Sequence, residues 1–289
     1  MMPKSKLFLL NVAKTVTYAL LTVACLITLT PFVWLLCAAF KSKAGFFANT
    51  FLPTGDGFLG IAWNQITSEN FTRVFTELDF ANNILNSIFL SSATAVLSTL
   101  TAAMGGYALA KFDFRGKNFV LGVVLAAIVV PSPLLIAPGY QLLYHLHLLD
   151  SYWGLLLPAV APAFGVFLFR QAILNGVPNE LLESARIDGC GELRAFFVVV
   201  MPLVRPMVGA YLLITFLGTW NNFITPQIVL QDADKLPLSV ALAGVQMTYR
   251  AEYGMISAGT LLSIAPVAFL FLLLQKEFIS GLTSGAIKG

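Results

Sequence analysis

Charge is what this chain has least of. Its 289 residues include only 17 Lys and Arg and 14 Asp and Glu, and none of these, nor either His, falls deep within a long apolar run. A transporter that couples solute movement to an ion gradient usually holds a buried ionisable group, so no proton or sodium relay is evident. There is no GxxxxGK[ST] loop to cradle nucleotide phosphates, so by that route the chain does not hydrolyse ATP itself. Energy must come from another subunit, or the protein is a passive channel. Cysteines number three. Cys25 and Cys37 lie about 18 Å apart along one expected helix, too far to bond, and Cys190 falls in a segment expected to be cytoplasmic and reduced. His145 and His147 have no further ligand nearby in sequence, so no metal site is expected. No nucleophile, base and orienting group stand together, so the chain is not read as an enzyme. The sequon Asn70-Phe-Thr72 is read as a chance match.

What the chain has is apolar surface. Hydrophobic residues make up 58% of it and the mean hydropathy is +0.83, more than a soluble fold of this length can hide. A bilayer core about 30 Å thick requires roughly 20 residues of helix, and six runs meet that length. They are Val16–Phe40, Asn83–Ala110, Phe119–Tyr144, Tyr152–Phe169, Met207–Leu230 and Met255–Gln275. The first follows Lys4, Lys6 and Lys14 as a secretory signal would, but its apolar stretch is about twice the usual signal length, so a retained helix is expected. Basic residues mark the cytoplasmic side. With six helices the termini share one side, which holds 12 of the 17 Lys and Arg, and both termini are expected in the cytoplasm. The net charge of +3 reflects this bias and is no argument for nucleic-acid binding.

Residues 178–206, PNELLESARIDGCGELRAFFVVVMPLVRP, form a polar interruption between two apolar runs. Pro178 suits the first turn of a helix, and Glu180 and Glu183 sit near the positive end of its dipole. Leu181, Leu182 and Ala185 make a short apolar stripe. Gly189 can end the helix in a left-handed conformation, and a second helix is expected over Glu192–Met201, stopping before Pro202. The result is a helix-turn-helix at the membrane surface, suited to a partner protein; the bland alternative is an ordinary interfacial loop.

The skeleton Glu183-Ser184-Ala185, Gly189, Val199, Met201 and Pro202 resembles the EAA loop of ATP-binding-cassette importer permeases. The segments LLDSYWGLLLPAVAPAFGVFLFRQ, GTWNNFITPQIVL and QKEFISGLTSGAIKG extend the resemblance over most of the chain, to carbohydrate importers and specifically to the second maltose-type permease subunit. The resemblance implies an all-α, six-helix type I importer permease fold. It implies a complex with a second, non-identical permease, two ATPase subunits that carry the ATP and Mg, and an extracytoplasmic solute-binding protein, all at the cytoplasmic membrane. It makes Glu183, Ser184, Ala185, Arg186, Asp188, Gly189 and Pro202 the residues of an ATPase-coupling loop, with Glu183 making a polar contact in the ATPase cleft. It sends the tail, with Gly281, Thr283, Ser284, Gly285 and Lys288, into the ATPase dimer, where the bland alternative is a disordered basic end. A loop like 231–254 probes the binding protein in the family, which nominates Gln246, Tyr249 and Tyr253; the alternative is a self-packed connector. Ser184 stands where Ala is usual, and Cys190-Gly191 where a small residue and a Ser or Thr cap are common. The organisation implied is residues 1–82 as N-terminal segment, first helix and external loop, 83–277 as the importer transmembrane region, and 278–289 as a cytoplasmic tail.

Ser91, Ala95, Ser98, Ala102 and Gly106 recur at three- and four-residue spacing and define one helix face, expected to be a packing seam. Pro131, Pro133, Pro138, Pro158, Pro162, Pro226 and Pro266 fall in membrane runs, which suggests kinked helices around a cavity. Trp220, Asn221 and Asn222 combine an indole and two amides, a set that can meet a sugar in the pathway. The alternative is that the amides mark a helix break or bridge helices. The competing function is an ATPase-independent channel or scaffold, for which the polar 178–206 segment would be accidental.

Overall fold

A computed structural model describes residues 4–248 and 252–284, and these are mostly helical, with no strand among the described residues. The chain divides into two compact units, residues 1–79 with 245–262, and residues 80–244 with 263–289.

The first unit is led by α1, Lys4–Ala39, whose candidate span Asn11–Ala39 has only 6% of its most apolar window buried by protein. Thr15, Thr17, Thr28 and Thr30 donate their hydroxyls to carbonyls four residues back, so the polar atoms on this bare surface are satisfied within the helix. Short helices α2, Lys43–Ala48, and α3, Glu69–Glu77, follow. They are fastened to the end of α1 by Asn70, whose Nδ2 donates to the carbonyls of Ala39 at 2.9 Å and Lys41 at 2.8 Å. Lys41, 1% exposed, donates its Nζ to the carbonyls of Asn49 and Thr50. Its pKa is pushed down by that burial.

The second unit is built around α4, Phe80–Lys111, which packs against α8, Ala163–Gly176, and α12, Arg205–Trp220. Between them lie α5, Lys117–Val129, α6, Ile136–His145, α7, Tyr152–Ala159, α9, Asn179–Ile187, α10, Glu192–Ala195, and α11, Met201–Leu203; α13, Ile224–Val229, follows α12. Helices α14, Leu238–Thr248, and α15, Tyr253–Ser284, contribute residues to both units. The expected seam on α4 is buried along its length, with Ser91 at 1%, Ala95 at 3%, Ser98 at 2% and Ala102 at 0% exposure. Gly106 is where α4 and α8 come closest: a Cβ there would stand 2.7 Å from the backbone nitrogen of Arg170 and from Cβ of Phe169. On the α12 side, Ser98 Oγ and Tyr211 OH lie 3.3 Å apart.

Four helices are long and apolar enough to cross a membrane, Asn11–Ala39, Phe80–Lys111, Tyr152–Gly176 and Tyr253–Lys276, and two bent pairs bring the number to six if each is one span. Three runs expected to be continuous are broken. The third bends by 99° between Val129 and Ser132, because Pro131 and Pro133 lack donors and a proline pushes the residue before it into extended backbone, as at Val130. The fourth breaks at residues 160–162, before Pro162 caps α8. The fifth ends at Trp220, and the chain turns through Asn221–Phe223 before α13.

Candidate functional site

Residues 178–206 leave the second unit as a helix-turn-helix. Pro178 is the N-cap of α9 and not a residue of its first turn; Asn179 takes that place. The Lys111 ammonium at the end of α4 donates to the Val177 carbonyl and to Asn179 Oδ1, both at 2.6 Å, and fixes the entry of the chain into α9. Of the expected apolar stripe, Leu182 alone is buried, at 2%, in a core with Tyr107, Phe169, Ile173 and Phe196, whereas Leu181 is 45% exposed and Ala185 half-buried. One leucine anchors the amphipathic helix and the rest of α9 is presented outward.

At the far end, Gly189 has φ 77°. Its N–H donates to the Arg186 carbonyl at 3.0 Å and the N–H of Cys190 to the Ala185 carbonyl at 2.9 Å, a Schellman closure that requires the left-handed residue glycine tolerates best. Glu183, Ser184, Arg186, Asp188 and Gly189 are all exposed, and the Ser184 hydroxyl donates back to the Glu180 carbonyl. Ile187, 86% exposed, and Leu193, 66% exposed, flank the turn as apolar side chains without cover.

The second limb departs from expectation. It does not stop before Pro202: α10 runs into a π-helical turn, Phe196–Val200, and α11 carries the chain through the exposed Pro202 to Leu203. In a regular α-helix the Pro202 ring would clash with the carbonyl four residues back, and the wider turn, closed by the Met201 N–H donating to the Phe196 carbonyl, gives it room.

Glu192 is the residue that pattern reasoning missed. One carboxylate oxygen accepts from Arg186 Nε at 2.7 Å and the other from Tyr107 OH at 2.9 Å, so a single side chain joins α9, α10 and α4. The Arg186 guanidinium holds the Glu192 carboxyl below the ordinary carboxylate range, aided by the Tyr107 hydroxyl. The signal available in sequence was an acidic residue at the first turn of a helix, which also describes an ordinary dipole contact.

The other nominated residues separate. Trp220 is 6% exposed and stacks on Phe216 at 5.6 Å. Asn221 is exposed and donates to the Leu217 carbonyl at the helix end. Asn222 Oδ1 accepts the Thr225 N–H at the start of α13, and its carbonyl accepts the Ser239 hydroxyl. The three therefore form the helix break, and Asn222 lines a cavity together with Ser87, Ser91 and Thr94 of α4. Tyr253, 42% exposed, stacks on Phe46 at 5.1 Å, beside Glu252, which pairs with Lys43 and Arg73 at 2.8 Å each. Those two cations, Lys43 foremost, hold the Glu252 carboxyl below its usual range. Tyr249 lies outside the described residues; Gln246 lies on α14, and its side chain is outside the description. Gly281, Thr283 and Ser284 fall on the last turns of α15, while Gly285 and Lys288 lie outside the described residues.

A second polar joint lies at the start of α4. Asp150, at φ 53°, accepts the N–H groups of Gln231 and Asp232 at 3.0 Å each and pairs with Lys235 at 2.8 Å. Asn82 and Asn86 donate to the Asp234 carbonyl, and Asn86 accepts the Tyr152 hydroxyl. The Asp150 pKa is lowered to about 2, chiefly by the Lys235 hydrogen bond and then by the two backbone donors. No group of three His, Cys, Asp or Glu positioned to hold a metal occurs among the described residues.

Comparison with known proteins gives one family model, the binding-protein-dependent transport system inner membrane component, which matches residues 102–279. The arabinooligosaccharides transport system permease protein AraQ of Halalkalibacterium halodurans is 39% identical over 78% of this chain and 81% of its own length. The diacetylchitobiose uptake system permease protein NgcG of Streptomyces coelicolor is 31% identical over 94% of this chain and 88% of its own. The sn-glycerol-3-phosphate transport system permease protein UgpE of Yersinia pestis is 33% identical over 70% and 73%. Among solved structures, a chain of a bacterial ABC transporter involved in the import of the acidic polysaccharide alginate aligns over 96% of this chain and 99% of its own, with TM-score 0.77 and 24% identity. A further match is to the alginate transporter in complex with its periplasmic protein bound to alginate pentasaccharide, with TM-score 0.63. These two matches establish the type I importer permease fold.

Proposed function

The chain belongs to the family of binding-protein-dependent transport system inner membrane components, and from that premise we propose that it is one of two permease subunits of a carbohydrate importer, driven by a separate ATPase. The observation that carries the coupling role is the construction of residues 178–206. Glu183, Ile187 and Leu193 are presented to a partner, while Leu182, Lys111 and Glu192 tie the same element to α4 and the core. A segment free on one side and fastened on the other can carry displacement of a partner into the bundle.

The carbohydrate assignment draws on relatives named for arabinooligosaccharides and diacetylchitobiose. The second permease is non-identical, by the resemblance of this chain to one member of a maltose-type pair. ATP and Mg belong to the ATPase dimer, whose cleft receives Glu183, Ser184, Ala185, Arg186, Asp188 and Gly189, with Pro202 shaping the second limb. The tail, including Gly281, Thr283, Ser284, Gly285 and Lys288, enters the same dimer. The basic-residue bias places both termini in the cytoplasm. The Tyr253 region, with Gln246 and Tyr249, receives the solute-binding protein. ATP binding closes the ATPase dimer, the 178–206 element follows, and the permease pair opens outward to accept sugar.

Affinity purification of tagged protein from gently solubilised membranes tests the assignment. Wild type should bring down an ATPase and a second permease, and Glu183→Lys should lose the ATPase while keeping the permease. Recovery of this chain alone, in a form that still passes solute, would establish the channel instead.

A further inference from the structure

We infer that this subunit carries its own subsite for a neutral sugar, at the point where α7–α8 and α12–α13 both break beside α4. The inference rests on the carbohydrate-importer reading and adds to it a place in this chain where solute is held.

The site begins with an orphan. Ser91 is 1% exposed, and its hydroxyl finds no hydrogen-bond partner among the described residues. An unmade bond at a buried hydroxyl carries a desolvation penalty of about 1–3 kcal/mol, so a ligand or water is needed to complete it. Ser91 lines a cavity of about 100 Å³ with Thr94, Thr219, Asn222 and Thr225. Because Asn222 Oδ1 is turned back onto Thr225 N–H, its amide nitrogen is left as the donor for a ligand. This volume suits about three waters at roughly 30 Å³ each, or one hydroxyl-bearing edge of a sugar ring.

A larger cavity of about 310 Å³ adjoins it, sharing Leu155 and Thr225 as walls and lined otherwise by Ser132, Tyr140 and apolar residues. A sugar has the matching division, with hydroxyl edges and an apolar ring face that lies well on an aromatic. Among the described residues no charged side chain lines either cavity. That selects a neutral polyhydroxylated ligand over an ion or an acidic sugar.

The backbone points the same way. Ser91 lies about 7 Å along α4 from the midpoint of that helix, within the span of a bilayer core. At that depth non-helical backbone is tolerated only against protein or a water-filled cavity, and paired helix breaks mark the solute site in other transporter folds. Here the breaks at residues 160–162 and 221–223 put Ala159 and Asn222 on the wall of the same cavity.

The test uses the whole purified importer in nanodiscs without ATP, with Cys25, Cys37 and Cys190 replaced by Ser. Thr225→Cys reports access, through its labelling rate by a charged methanethiosulfonate. Arabinotriose, lactose and diacetylchitobiose serve as protecting ligands, and uptake of each is measured on the same importer in vesicles. A sugar that wild type imports should slow labelling severalfold. Adding Ser91→Ala should raise the sugar concentration for half-protection by roughly three- to tenfold, the worth of one neutral hydrogen bond, without lowering the yield of assembled importer, because it removes an unsatisfied group. Labelling indifferent to an imported sugar, or half-protection unchanged by Ser91→Ala, would make this a hydrated pocket only and overturn the subsite while leaving the importer intact. A wild type that imports none of the three sugars overturns the carbohydrate reading and takes the subsite with it.

Discussion

The two ends of α4 are both fastened to segments that interrupt the membrane runs, but in different ways. At the Lys111 end the partner segment is a helix-turn-helix held at few points, Leu182 in the core, Lys111 on Asn179, and Tyr107 on Glu192, with most of its surface bare. At the Phe80 end the partner is the connector after α13, held by Asp150, Lys235, Asn82 and Asn86 through many bonds to backbone groups. A segment held at few points and otherwise exposed is built to be moved by something outside the chain. A segment stitched down through its backbone is built to hold a shape. The buried seam of α4 links the two, so displacement at one end is carried to the other by a helix that cannot slide freely past α8 at Gly106.

The widest break in that comparison comes at the exposed turn. Glu183→Lys reverses the charge of the side chain proposed to make a polar contact in the ATPase cleft, so ATP-driven uptake should fall by about 100-fold with the permease still in the membrane. Gly189→Val should act in the same direction, since φ 77° disfavours a β-branched side chain by about 1–2 kcal/mol although space is open around it. Labelled-sugar uptake in cells, normalised to permease abundance, measures both. Gly106→Val attacks the link itself; overpacking of about 1–3 kcal/mol should lower the amount of folded permease in detergent-extracted membranes.

Smaller effects sharpen the contrast. Tyr107→Phe removes one bond to Glu192 while Arg186 keeps the other, so about 1 kcal/mol, near fivefold, should be lost in sugar moved per ATP hydrolysed, and Glu192→Gln, which also removes the charge that Arg186 pairs with, should add a further loss in the double variant. The smallest change comes from acid at the Asp150 joint. A carboxyl lowered to about 2 contributes stability that is complete above its unfolded pKa near 4 and is lost as pH falls through 2. Hydrogen exchange over residues 229–238 should therefore rise only below about pH 4 in wild type and already be raised at pH 7 in Asp150→Asn.

Much of this was legible before any coordinates. Six apolar runs, the small-residue face of α4 and the left-handed Gly189 follow from length, spacing and the conformational freedom of glycine, all local properties. The breaks were only half legible. Pro131, Pro133 and Pro162 announced that helices would bend, but where α12 stops depends on Asn221 and Asn222 closing the helix end, and their amides read equally well as sugar contacts. The partners of Glu192 and Asp150 were not legible, because Tyr107 lies 85 residues before the one and Lys235 85 residues after the other, and only packing of the helices brings them together. The π turn that admits Pro202 was hidden for the same reason: sequence shows the missing donor, not the wider turn that accommodates it.

The account turns on residues 178–206 converting ATP hydrolysis in another subunit into movement of this one. Hydrolysis and sugar uptake measured together in proteoliposomes containing the complete importer, wild type beside Glu183→Lys, test it most directly. Uptake that requires ATP in wild type and collapses in the variant is the predicted result. Uptake that proceeds without ATP, or is undiminished in the variant, would contradict it.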